Sequence, residues 1–98
     1  MQVTFAEALK IGTDWLRNKI LVTTELRAFI FNSPELSREY PVCWVFASSS
    51  EQMREAGYVP AAVFVYIDKA DGHVWTVTEQ DAYFYAHEKK AQPERIAA

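Results

Sequence analysis

Cysteine is all but absent. Cys43 is the only one, so no internal disulfide can form, and a reducing, cytoplasmic compartment is the expectation. Glycine is scarce too: the three residues lie far apart at Gly12, Gly57 and Gly72, which leaves no Gly-rich phosphate loop. No apolar run approaches the roughly 20 residues that a bilayer span requires. The first residues, Met1-Gln2-Val3-Thr4, carry neither a basic region nor an apolar signal core, so neither membrane insertion nor export is expected. Lys and Arg form no cluster and the formal net charge is −3, which argues against nucleic acid and weakly favours a basic partner. Internal repeats and low-complexity tracts are missing as well.

Half of the 98 residues are apolar and 23% are charged, the balance of a globular chain with one core. The expectation is a single domain over 1–98 with a frayed tail over 92–98. The organising stretch is 61–78, AAVFVYIDKADGHVWTVT. Two β-favouring runs, 62–67 and 73–78, flank a turn segment ending in Asp71-Gly72, which reads as a hairpin. In the first run both alternating sets are apolar, so a central strand covered on both faces is expected.

Upstream, 4–19 reads as an amphipathic helix with Thr4 and Glu7 as a capping box. Phe5, Ala8, Leu9, Gly12, Trp15 and Leu16 form its apolar stripe, and Gly12 implies close approach to a sheet. The β-branched segment 20–26 reads as a strand. Ser33-Pro34-Glu35-Leu36 has the chemistry of a helix start that Pro41 stops. Residues 42–47 read as a strand, and 51–56 as a short helix with Ser49 and Gln52 as its capping box and Gly57 beyond its end. Thr78-Glu79-Gln80-Asp81 opens a last helix whose buried side would hold Ala82, Tyr85 and Ala86, with Phe84, and whose final turn would hold Lys89 and Lys90. The fold class expected is α+β, in the order α-β-β-(short α)-β-β-α, with an antiparallel sheet of about four strands and the first helix on one face. Trp15, Trp44, Val65 and Ile67 should be buried.

Candidate chemistry is sparse. Cys43 lies inside a strand pattern and reads as a small buried hydrophobe rather than a nucleophile. Asp68, Asp71 and Gly72 fit a turn better than a calcium loop, which needs a bidentate Glu at its twelfth position. His73 and His87 lack the paired spacings of zinc sites. The serine run 48–50 has no Gly-x-Ser-x-Gly elbow, and Glu35, Glu39, Glu51 and Glu55 read as solvated faces. No catalytic residue, metal or cofactor is therefore assigned. Aromatics reach 14%, and Tyr40, Tyr58, Tyr66 and Phe31 sit at element edges beside charge. They serve either to pack a small core or to form a recognition surface. The partner-binding candidates are Phe29, Phe31, Glu35, Arg38, Glu39 and Tyr40 on the connection before the 42–47 strand, with Glu51, Glu55 and Tyr58 beside it.

The chain also resembles a known family. An amphipathic first helix is followed by a strand with Trp44-Val45-Phe46 and then by Gly57-x-x-Pro60. Next come an apolar strand ending Ile67-Asp68-Lys69, the turn Ala70-Asp71-Gly72, a strand and a closing helix with tyrosines. This order is similar to the YrhB domain, or immunity protein 35, family, from about Ala6 to Tyr85 and most closely in the second half. Tyr58 stands where Asn is expected and Ala70 where Thr is usual, and 27–41 has no counterpart. The resemblance implies a bacterial cytoplasmic protein that neutralises a cognate toxin by binding it, or a chaperone-like role. The functional expectation is thus a non-enzymatic binding protein, foremost an immunity protein against a basic toxin domain. The alternatives are a chaperone-like or self-associating domain forming a homo-oligomer, and a cystatin- or NTF2-like pocket domain that binds a small ligand or acts as an enzyme.

Overall fold

The computed structural model describes residues 2–86 and 95–96. Helix α1, Phe5–Val22, opens on the expected capping box: the Glu7 N–H donates to Thr4 Oγ1 at 3.1 Å and the Thr4 N–H to Glu7 Oε1 at 2.8 Å. It does not stop at residue 19. The segment 20–26, expected as a strand, is the end of α1 and the single turn α2, Thr24–Arg27. Once five turns are nucleated, each further residue adds a hydrogen bond, and β-branched residues cost only about 0.5 kcal/mol each against that. Leu21 and Val22 are left exposed.

The next departure concerns 33–36, expected to start a helix. It leads instead into strand β1, Glu35–Glu39, which pairs antiparallel with β2, Cys43–Ser49. Asn32 prepares that pairing: its N–H donates to the Ser49 carbonyl and its side-chain amide to Ser49 Oγ, both at 2.8 Å. Pro34 lies just before the first strand residue, where a missing N–H is tolerated. Pro41 and Val42 form the tight connection, closed by the Tyr40 N–H donating to the Cys43 carbonyl at 2.9 Å. The register slips between Leu36 and Arg38, a bulge at Ser37.

Helix α3, Glu51–Glu55, is capped by Ser50 rather than Ser49, with the Met53 N–H donating to Ser50 Oγ. Gly57 ends it at φ 92°; the Gly57 N–H donates to the Arg54 carbonyl and the Tyr58 N–H to the Met53 carbonyl, a Schellman close. Strand β3, Ala62–Asp68, pairs antiparallel with the whole of β2, from Cys43 opposite Asp68 to Ser49 opposite Ala62. The hairpin turn after it is formed as expected, with Gly72 at φ 77°. Its second strand is not: 73–78 makes one bridge, Val74 opposite Ile67. A second capping box intervenes, in which the Thr76 N–H donates to Glu79 Oε1 and the Glu79 N–H to Thr76 Oγ1. The chain therefore turns into helix α4, Val77–Ala86. This earlier start shifts the helical phase, so Tyr83 and Phe84 face inward while Ala82, Tyr85 and Ala86 are exposed.

The fold is α+β, with the N-terminal helix against an antiparallel sheet. Three strands make that sheet rather than about four, and the two-residue segment β4, Arg95–Ile96, pairs with the outer edge of β1. Of the tail expected to fray, only those two residues are described; Lys89, Lys90 and His87 lie outside the described residues. The order β3-β2-β1-β4 makes β2 the central strand and puts β3 at an edge, correcting its expected central place. Two cores result. On one face Ala8, Leu16, Trp44, Phe46, Val65 and Ile67 close the helix–sheet layer, with Trp15 only half-buried. On the other, Tyr40, Cys43, Val45 and Trp75 pack under Tyr66, Tyr83 and Phe84.

Candidate functional site

Tyr40 belongs to that second core. It is 3% exposed, with its ring edge-on to Phe84 at 5.1 Å and to Tyr83 at 6.2 Å. Tyr66 stacks on Trp75 at 6.3 Å, and burial foremost, then the neighbouring Tyr40, pushes its hydroxyl pKa upward. These aromatics are packing. Glu39 is likewise engaged, in a half-buried ion pair of 2.8 Å with Lys69, whose ammonium lies 5.2 Å from the Trp44 ring centre. Cys43 is fully buried, and burial, reinforced by the charge of Asp68, pushes its thiol up to about 12. Such a thiol is protonated and inert at neutral pH.

The remaining candidates gather at one end of the molecule. Residues 28–34 fold against α3: the Ile30 N–H donates to Gln52 Oε1 at 2.7 Å, and the Phe29 ring meets the Tyr58 ring edge-on at 5.5 Å. Phe29 and Phe31 line a shallow groove with Ile20, Leu21, Arg17 and Arg27. Leu21, Val22 and Ile30 beside it in the chain are 66%, 66% and 74% exposed, while Val59, 95% exposed, lines a different cleft with Ser37 and Arg38. Glu51 and Glu55 stand on α3 beside this apolar end, Glu51 in an exposed pair with Arg54 at 3.1 Å. Glu35 and Arg38 lie apart from it, exposed on β1. The exposed apolar residues at 21, 22 and 59 were missed in the sequence, where they read as strand or loop; only their absence of a partner element reveals them.

A polar cluster sits at the opposite end of β3. His73 Nδ1 is 2.6 Å from Asp71 Oδ1, and His73 Nε2 is 2.7 Å from Glu79 Oε2, joining the hairpin turn to the start of α4. The hydrogen bonds to Glu79 and then Asp71 raise the His73 pKa above its ordinary 6.5, while both carboxyls are lowered, Asp71 chiefly by His73 and Glu79 chiefly by the Thr76 N–H. One ligand atom each of Asp68, Asp71 and His73 falls within 4.8 Å of the others, a spacing that raises the question of a cation. Asp68, however, accepts from the Ala70 N–H and from Trp75 Nε1–H, both at 2.8 Å. With both His73 nitrogens facing carboxylates, the cluster is a closed turn and not an open coordination shell.

No protein-family model, curated protein or solved structure matches the chain. The geometry therefore stands by itself. Among the described residues no helix is long and apolar enough to cross a membrane.

Proposed function

We propose that this chain is a non-enzymatic binding protein, and specifically an immunity protein that occludes the active site of a cognate toxin domain. The observation that carries the reading is the apolar end where exposed Leu21, Val22, Ile30 and Tyr58 surround half-buried Phe29 and Phe31. A small domain that leaves so many large apolar side chains together in water is presenting an interaction surface. Its centre is pre-ordered by the Phe29–Tyr58 contact and the Ile30–Gln52 hydrogen bond, so little conformational entropy is lost on docking. Glu51 and Glu55 at its rim suit a partner with basic residues. A bacterial cytoplasmic setting goes with this proposal and with the resemblance to immunity protein 35.

The reading of a pocket domain draws no support from the helix–sheet layer, which is filled: a Cβ on Gly12 would meet Phe46 Cδ2 at 3.0 Å. The test is co-expression with a toxin-bearing protein encoded beside this chain. Wild-type protein rescues growth and co-purifies. Tyr58→Ala and Ile30→Asp each weaken binding by about 2 kcal/mol, roughly thirtyfold, with unchanged melting temperature. Glu51→Lys with Glu55→Lys slows association and flattens its salt dependence. Binding indifferent to all four changes, or abolished by substitutions only elsewhere, overturns the assignment.

A further inference from the structure

The free edge of β3 is a second surface, lined by other residues than the groove at Phe29 and Phe31. Trp75 donates its N–H to the Tyr66 carbonyl at 2.9 Å, which shows that the Tyr66 main chain points away from β2. Ser50 donates to the Ala61 carbonyl at 3.0 Å, so the odd-numbered residues face inward. Because strands alternate with period two, the N–H and C=O of Ala62 and Phe64, and the N–H of Tyr66, also point outward. Among the described residues nothing pairs with them, since the hairpin's second arm leaves the edge beyond the Val74 bridge. The strand, AVFVYID, carries a single charge, Asp68 at its far end, and the unpaired stretch 62–66 carries none of the charges or prolines that usually blunt an edge.

This edge lies in a cleft of about 510 Å³, with Trp15 and Lys19 of α1 on one side and Trp75, Val77 and Gln80 on the other. A second cleft of about 370 Å³ adjoins it across Phe64 and Tyr66, over the sheet face, and is also lined by Ser37, Arg38, Val45, Val59 and Pro60. Neither lining contains an acidic side chain. Lys19 and Arg38 have no ion-pair or hydrogen-bond partner among the described residues, although the chain as a whole carries −3. An edge unpaired among the described residues, with Lys19 beside it and Arg38 on β1 across the adjoining cleft, is complementary to an extended, acidic peptide. A second copy would bring the same cations and no carboxylates to meet Lys19 and Arg38, since neither cleft lining holds an acidic side chain.

We propose that the β3 edge binds an extended acidic peptide segment by strand addition, with main-chain bonds to Ala62, Phe64 and Tyr66 and with carboxylates near Lys19 and Arg38. The probe is a short acetylated peptide of alternating Glu and Val, with a Lys-for-Glu peptide as control, titrated while amide hydrogen exchange is followed. The Glu peptide binds, slows exchange at the Phe64 and Tyr66 amides, and binds at least about tenfold more tightly than the Lys peptide. Lys19→Glu weakens binding by about tenfold. Ala62→Pro, whose lost N–H points to solvent and not to β2, abolishes it at an unchanged melting temperature. If that variant is poorly folded, an N-methylated Glu–Val peptide takes its place and fails to bind. Absent binding, binding unaffected by N-methylation or by Lys19→Glu, or Phe64 protection that appears with protein concentration alone overturns the proposal, the last by assigning the edge to a second copy. None of the residues changed in the toxin test, Ile30, Glu51, Glu55 and Tyr58, lines either cleft, so the two outcomes are distinguishable.

Discussion

Gly12→Ala tests the helix–sheet layer, because two effects of opposite sign meet there. Ala in a helix interior is favoured over Gly by about 1 kcal/mol. The added Cβ, however, would lie 3.0 Å from Phe46 Cδ2 and 3.3 Å from Val65 Cγ1, where ordinary carbon contacts are about 3.5–4.0 Å. Phe46 cannot retreat: it is fully buried, with the Phe5 ring 5.6 Å away on its flank. Overpacking of this kind costs about 1–3 kcal/mol. The sum is neutral to about 2 kcal/mol destabilising, against the propensity expectation. Urea unfolding followed by tryptophan fluorescence reads it directly. Repeating the substitution in a Phe46→Leu background, where the ring edge is gone, should recover the helix-propensity gain and give a coupling of about 1 kcal/mol or more. A Gly12→Ala protein about 1 kcal/mol more stable than wild type, with no coupling to Phe46, would refute the close approach.

Two further outcomes follow from the ionisable groups. The raised His73 pKa means that its contribution to stability is complete below the unfolded value of 6.5 and is lost as pH rises through the higher folded value. The lowered Asp71 and Glu79 values mean that theirs is present above 3.8 and 4.5 and lost as pH falls through the folded values. Wild-type melting temperature relative to His73→Gln is therefore highest between about pH 5 and 6.5, and the difference shrinks towards alkaline pH; a pH-independent difference would contradict the clamp. Cys43, with its thiol pushed up to about 12, should react with Ellman's reagent only as fast as the protein unfolds, and prompt labelling at pH 8 under native conditions would contradict its burial.

Local chemistry with a long-range ally was legible in the sequence. The Thr4–Glu7 box, the Gly57 close, the turn at Asp71-Gly72 and the 42–47 and 62–67 strands stand where residue patterns put them, because each pattern agrees with its tertiary setting. Failures occurred where two local signals competed. Thr76 and Thr78 both offer a helix cap, but only Thr76 has Glu three residues on, and that choice removes a strand and exposes the edge of β3. Ser33-Pro34 offers a cap as well, yet Asn32 bound to Ser49 commits the chain to the sheet before any helix starts. Pairing across 17 residues leaves no periodic trace in so short a strand.

The functional surfaces obey the same physics. Exposed aromatics and core aromatics have one composition, so the sequence could not separate Tyr58 from Tyr40. What separates them is the helix above: α4 lays Tyr83 and Phe84 over Tyr40, whereas no described element covers Tyr58 or Val59. The apolar end and the open edge of β3 each lie where a helix leaves the sheet uncovered. Helix α1 spends its last turn beyond the sheet, leaving Leu21 and Val22 in water, and α4 starts early enough to cover only one end of the second face. Both helices are positioned by capping boxes at their N-termini. Loss of the second box by Thr76→Ala should therefore loosen the wall of the β3 cleft formed by Val77 and Gln80 while leaving the Phe29–Tyr58 end unchanged. Hydrogen exchange that quickens at both ends together would show that the two surfaces are coupled through the sheet, and not set separately by the helix that borders each.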